Sequence, residues 1–155
     1  MIKDVPSIQP LIILSADHLI EKVEKFNNEI KKKKKFLTNN NIFIFGIKPN
    51  APSDQFGYFM TKKNKNFYKV TKFLEKPSKL RAKAIIKKGA YWNSGIFFLR
   101  KDSLINNFKN YQKKIFKSTF LAVTKSKFKN NTYYLNKKFF SRSPSKSFDY
   151  AILEK

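Results

Sequence analysis

Three short runs, Leu11–Leu14, Ile42–Phe45 and Ile96–Leu99, are apolar at every position. Apolar residues without alternation leave no face for water, so such runs read as strands covered on both sides. The first is expected to extend to about residue 16, and the second to be closed by Gly46 and Pro49. Between them, residues 21–35 carry Val23, Phe26 and Ile30 at helical spacing, with charge on the opposite face. Two or three further strands are expected within residues 54–77, around a polar turn near Asn64 to Asn66. Ser78 is placed to cap a helix running to about Lys88, with Gly89 at its end. SGIFFLR reads as a strand and Lys101 to Tyr111 as a helix. Residues 112–131 carry no clear period, TYYL reads as a short strand, and SKSFDYAILEK as the beginning of a helix. Strand and helix alternate through most of the chain, so the expected class is α/β with a mainly parallel sheet flanked by helices.

A length of 155 residues suits one domain with a genuine core, and an apolar fraction of 41% argues for a folded chain. No apolar run approaches the ~20 residues that span a bilayer. The N-terminal MIKDVPSIQP lacks the pattern of a signal peptide, so no membrane association and a cytoplasmic location are expected. The absence of cysteine excludes a disulfide framework, a thiolate metal site and a thiol nucleophile. The lone histidine, His18, excludes any mechanism that needs two, and reads as a structural neighbour of Asp17 rather than a base.

The formal charge of +24 invites a polyanion partner, because lysine and arginine neutralise phosphates and release counterions. All but three of the 34 cations are lysines, however, and they are scattered along the chain. Base readout and bidentate phosphate recognition favour arginine. Joint enrichment in Lys, Asn, Phe and Ile is what an AT-rich coding sequence produces. No specific nucleic-acid partner is therefore expected, with polyanion binding kept as an alternative.

Against this background a few positions stand out. There are only four glycines, Gly46, Gly57, Gly89 and Gly95, so each marks a backbone need. For Gly57 and Gly95, close approach of a ligand competes with a purely structural reason. Asp17 lies just past a strand end, where ligands bind in open α/β sheets. Asp149 sits at a predicted helix start, where capping is its plain role. Together the two carboxylates could serve one Mg²⁺, which needs only one or two of them plus phosphate oxygens and water. Glu75-Lys76-Pro77 ends a strand and would make a surface ion pair of little worth. In a functional setting its carboxylate would accept from sugar hydroxyls while its ammonium meets a phosphate. Asn93, ahead of Ser94-Gly95, could give and accept bonds to hydroxyls.

Taken in order, LIILSADHLI, IFIFGIKP, FGYF, FLEKP, GAYWNSGIFFL and SFDYAILEK resemble the bacterial mannose-1-phosphate guanylyltransferases. These belong to the sugar-nucleotide pyrophosphorylase type of nucleotidyltransferase. The resemblance runs from Pro10 to Lys155 and implies a Rossmann-like nucleotidyltransferase fold. It implies a reaction of GTP with mannose 1-phosphate, assisted by Mg²⁺, giving GDP-mannose and pyrophosphate. By the same resemblance Asp17 and Asp149 would hold the metal, and Asp17, Lys76 and Asp149 would be the catalytic set. Gly57, Glu75, Lys76 and Asn93 would bind the sugar phosphate. Phe56 stands where the family often has tyrosine.

Family members begin with a glycine-rich loop, ending in an Arg-Leu-x-Pro stretch, that cradles the triphosphate. Residues 1–45 contain no glycine. The expectation is thus a partial nucleotidyltransferase domain over residues 1–155, truncated at both ends and inactive alone. A separately encoded N-terminal segment would be its partner. The rival of a different class is a non-catalytic sugar-phosphate binding module.

Overall fold

The computed structural model describes residues 6–154, which form two compact units. One reaches Ser103 and takes in Glu154; the other spans Leu104–Leu153.

In the first unit the chain runs β1 (Pro10–Ile13), α1 (Val23–Lys34), β2 (Ile42–Ile47), β3 (Tyr58–Asn64), β4 (Phe67–Leu74), α2 (Lys79–Ile86) and β5 (Tyr91–Arg100). The ten-residue β5 is the spine. Its Phe97, Phe98 and Leu99 pair with Ile13, Ile12 and Leu11 of β1, and the same three pair with Ile44, Phe43 and Ile42 of β2. The two strands therefore flank β5 on opposite edges. At its other end, Tyr91 and Trp92 pair with Phe59 and Tyr58 of β3, which continues into the β3–β4 hairpin through Lys65 and Asn66.

Every pairing in this sheet is antiparallel, which corrects the expectation of a mainly parallel sheet. The β1–α1–β2 crossover does leave β1 and β2 pointing the same way, but β5 returns between them. The α/β class itself holds. A second correction concerns coverage. Neither β1 nor β2 is covered on both faces: no residue of either strand is fully buried, and Ile12 is 42% exposed. β1 also stops at Ile13, short of residue 16.

Helix α2 packs its apolar residues against the hairpin and β5. Ser78 caps it by accepting from the Arg81 N–H at 3.4 Å, and Ala82 and Ile85 are buried. With Tyr58, Leu74 and Ala90 they form the core cluster, and Met60, Ile86 and Trp92 pack against it. Gly89 ends the helix with φ at +83°, a conformation that disfavours any residue with a Cβ.

The second unit comprises α3 (Lys101–Tyr111) from Leu104 onward, α4 (Lys113–Thr124), the small hairpin of β6 (Lys127–Lys129) and β7 (Thr132–Tyr134), α5 (Lys137–Phe140) and a π-helical turn (Asp149–Leu153). Asn136 caps α5, accepting from the Phe139 N–H, while its own N–H donates to the Ala122 carbonyl of α4 at 3.1 Å. Gln112 Nε2 donates to the Ala151 carbonyl at 2.8 Å, and Phe108 meets Phe148 with ring centroids 6.0 Å apart. Where a regular helix was expected from SKSFDYAILEK, the chain makes this single π-helical turn.

Candidate functional site

The site is built on a defect in β5. On the β2 side, Ile44 pairs with Phe97 and Gly46 with Asn93, so Phe45 alone faces the three residues Ser94–Ile96. The surplus is taken up in a bulge whose centre, Gly95, has φ at +71°. The bulge satisfies its own backbone: the Gly95 N–H donates to Asn93 Oδ1 at 3.3 Å, and the Ile96 N–H to Ser94 Oγ at 3.2 Å. These bonds fix the orientation of the Asn93 amide.

On the opposite edge of β5, the ladder with β1 ends at Phe97 and the ladder with β3 begins at Trp92. Residues 93–96 bridge the split between them. The Asn93 N–H donates to the Gly57 carbonyl at 2.8 Å, carrying the β3 side one step further. From the β1 side Ser15 approaches, its Oγ 3.8 Å from where a Cβ on Gly95 would stand. The ladder is interrupted there, so residues 93–96 lack a regular strand partner on that edge among the described residues.

Into this region projects Glu75. A Cβ added to Gly57 would lie 2.5 Å from Glu75 Oε2, 3.1 Å from the Phe73 ring and 3.5 Å from Asn93 Cβ. Gly57, Glu75 and Asn93, spread over 37 positions of sequence, thus converge. The Glu75 N–H donates to Glu154 Oε1 at 3.1 Å. Lys76 follows at φ +45°, left-handed although it is not glycine, and its side chain is exposed while Pro77 is buried. Such a conformation costs of order 1–3 kcal/mol and persists where the surroundings hold it. Here the Glu154 carboxylate on one side and buried Pro77 on the other hold the corner.

The approach to Gly57 is also fixed. Tyr58 is fully buried, and its hydroxyl donates to the Ser53 carbonyl and accepts from the Ser53 N–H, both at 2.9 Å. Phe56 lies against Trp92 with ring centroids 4.9 Å apart. Trp92 Nε1 is buried with no hydrogen-bond partner among the described residues.

The remaining expected residues stand as follows. Asp17 is exposed in the turn beyond β1, two residues past Ser15. His18 is exposed beside it. Asp149 is half-buried and opens the π-helical turn of the second unit. Among the described residues no group of three or more His, Cys, Asp or Glu gathers as a metal site. Ser15 and Glu154 were not singled out from the sequence. The only signal for Glu154 was the scarcity of acidic residues, ten in all.

A family model described as nucleotidyl transferase matches residues 1–140. The chain is similar to a mannose-1-phosphate guanylyltransferase of Klebsiella pneumoniae, 30% identical over 151 residues that cover 94% of this chain and 32% of that protein. It is similar to one from Escherichia coli, 33% identical over 158 residues covering 97% of this chain and 34% of that protein. The chain therefore spans about a third of the length of these curated relatives. Among solved structures, one described as mannose-6-phosphate isomerase from Helicobacter pylori superposes with a TM-score of 0.84 at 25% identity, covering 99% of this chain and 60% of that one. The antiparallel β5 wedged between β1 and β2, the motif-bearing bulge and the match over residues 1–140 lead to one conclusion: the chain belongs to the nucleotidyl transferase family.

Proposed function

We propose that this chain supplies the sugar-phosphate side of a mannose-1-phosphate guanylyltransferase, which joins mannose 1-phosphate to GTP and releases pyrophosphate. The observation that carries the reading is the convergence of Gly57, Glu75 and Asn93 at the split in the sheet. Glu75 accepts hydrogen bonds from neighbouring sugar hydroxyls, and charge-assisted bonds of this kind are about twice as strong as neutral ones. Asn93 meets a further hydroxyl, and Gly57 lets the sugar approach the backbone. Lys76, one residue from the carboxylate and held in a left-handed turn, meets the phosphate of the same sugar.

A phosphate oxygen of mannose 1-phosphate bonds to the α-phosphorus of GTP. The bond from that phosphorus to the oxygen bridging the β-phosphate breaks, and pyrophosphate leaves with the electron pair. The step needs no covalent protein nucleophile; it depends on positioning and on offsetting charge. Glu75, Asn93 and Gly57 hold the sugar so that its phosphate faces the nucleotide, and Lys76 offsets charge on the attacking phosphate. By the resemblance, Asp17 would be a carboxylate donor to Mg²⁺, which would supply positive charge against the phosphates. Carboxylate oxygens are the hard donors this ion takes, and one or two suffice when substrate oxygens and water complete the shell.

With no glycine among residues 1–45, the backbone cradle for the triphosphate comes from polypeptide outside these 155 residues, and this chain alone does not turn over. Pyrophosphate release from GTP, mannose 1-phosphate and Mg²⁺ tests both parts. The chain alone gives none, and co-expression with a separately encoded glycine-rich segment restores it. Robust turnover by the chain alone would overturn the inactivity claim. Binding of mannose 1-phosphate with no restoration would favour the rival reading, a non-catalytic sugar-phosphate module.

A further inference from the structure

The first unit holds a cavity of about 650 Å³ that none of Asp17, Gly57, Glu75, Lys76 or Asn93 lines. It lies between β2 and the β3–β4 hairpin, with Tyr91 and Phe98 of β5 contributing to its wall. Its volume falls within the roughly 300–1,000 Å³ of small-molecule sites.

The hairpin is held over β2 by its tip. Phe67 meets Phe43 nearly perpendicular, with centroids 5.6 Å apart, and Phe36 at 5.9 Å. Lys33 Nζ at the end of α1 donates to the Asn66 carbonyl in the hairpin turn at 2.6 Å. Deeper in, Phe59 stacks on Tyr91 at 5.9 Å. The result is a cleft with aromatic walls, braced at its mouth.

Its rim has one sign. Lys33, Lys63, Lys65 and Lys69 line it against a single acid, Glu29, which is already paired with Lys32 at 3.2 Å. Lys63, Lys65 and Lys69 are exposed. The Asn64 and Asn66 amides stand at the same mouth. Flat aromatic walls select a flat ring, a lysine rim selects an anion, and amides give and accept bonds to ring edges. A fatty acid would use the charge but not the amides, and an inorganic polyphosphate would leave the aromatic walls without a partner.

We propose that this cleft is a second binding site, separate from the sugar-phosphate site, and that its ligand is a nucleoside phosphate. The base lies against the aromatic side chains that β2 and the hairpin present to the cleft, and the phosphates reach the hairpin lysines.

The test is a titration of the chain, labelled with ¹³C at isoleucine methyls, with GDP and separately with inorganic tripolyphosphate. Ile42 and Ile44 line the cleft, whereas Ile85 lies in the core beneath α2. A nucleobase carries a ring current, so GDP shifts the Ile42 and Ile44 methyls saturably and leaves Ile85 in place. Tripolyphosphate does not reproduce those shifts. Reversing two exposed charges together, Lys63→Glu with Lys69→Glu, weakens GDP binding by at least about tenfold without unfolding the chain. Three results would each overturn the proposal: Ile42 and Ile44 unmoved by millimolar GDP, equal shifts from tripolyphosphate, or undiminished GDP binding by the folded double variant.

Discussion

Glu75 Oε2 occupies space that any side chain at position 57 would need: a Cβ there would stand 2.5 Å away. The residue just before β3 and the corner after β4 thus meet at the point where β5 bulges. The glycine at 57 answers to this close approach, since its φ is not in the left-handed region.

Gly57→Ala separates folding from binding. The nearest obstruction is the far end of a flexible side chain, which can swing aside, so the cost to stability is at the low end of overpacking, about 1 kcal/mol. The carboxylate that swings is the one assigned to the sugar hydroxyls. Affinity for mannose 1-phosphate should fall at least about tenfold, or ~1.4 kcal/mol. Urea unfolding and calorimetry on the same variant check the two halves.

Gly89 and Gly95 form a matched pair. Both have positive φ, +83° and +71°, so alanine at either site should cost about 1–2 kcal/mol of stability. Position 89 has open space around it, whereas 95 lies beside Ser15 and the Asn93 amide that accepts its N–H. Gly89→Ala should therefore leave sugar-phosphate binding intact, and Gly95→Ala should weaken it. Equal binding loss in both would mean that the bulge has no special part.

Lys76 is predicted to trade stability for function. Glycine adopts φ near +45° without the penalty that an L side chain carries. Lys76→Gly should be more stable than Lys76→Ala by roughly 0.5–1 kcal/mol, after allowing for glycine's freer unfolded chain. Both variants should lose affinity for mannose 1-phosphate, because both lose the ammonium. The check is thermal melting beside calorimetry, with the two alanine and glycine variants compared directly.

Local signals in the sequence carried much of the fold. The polar residues near Asn64 do turn a hairpin, Ser78 does cap α2, and Gly89 does end it in a left-handed conformation. What could not be read was direction and adjacency. IFFL looks the same whichever way it runs, and its insertion between β1 and β2 depends on contacts far apart in sequence. The bulge misled in a similar way. SGIFFLR reads as a strand from Ser94, whereas β5 starts at Tyr91 and holds Asn93 within it. At the site, Glu75 and Asn93 were marked by their neighbours in the motifs. Glu154 was not, because its part is to accept from the backbone N–H of a residue 79 positions away.

The most direct measurement is calorimetric titration of mannose 1-phosphate into the chain and into its Glu75→Gln variant. Glutamine keeps the shape of the side chain and removes the charge that strengthens its bonds to hydroxyls, a difference of about 1–1.5 kcal/mol per bond, or roughly 5- to 13-fold. The account predicts a single saturable site in the parent and a loss of that order in the variant. No heat from the parent at millimolar ligand, or equal affinity in both proteins, would contradict it.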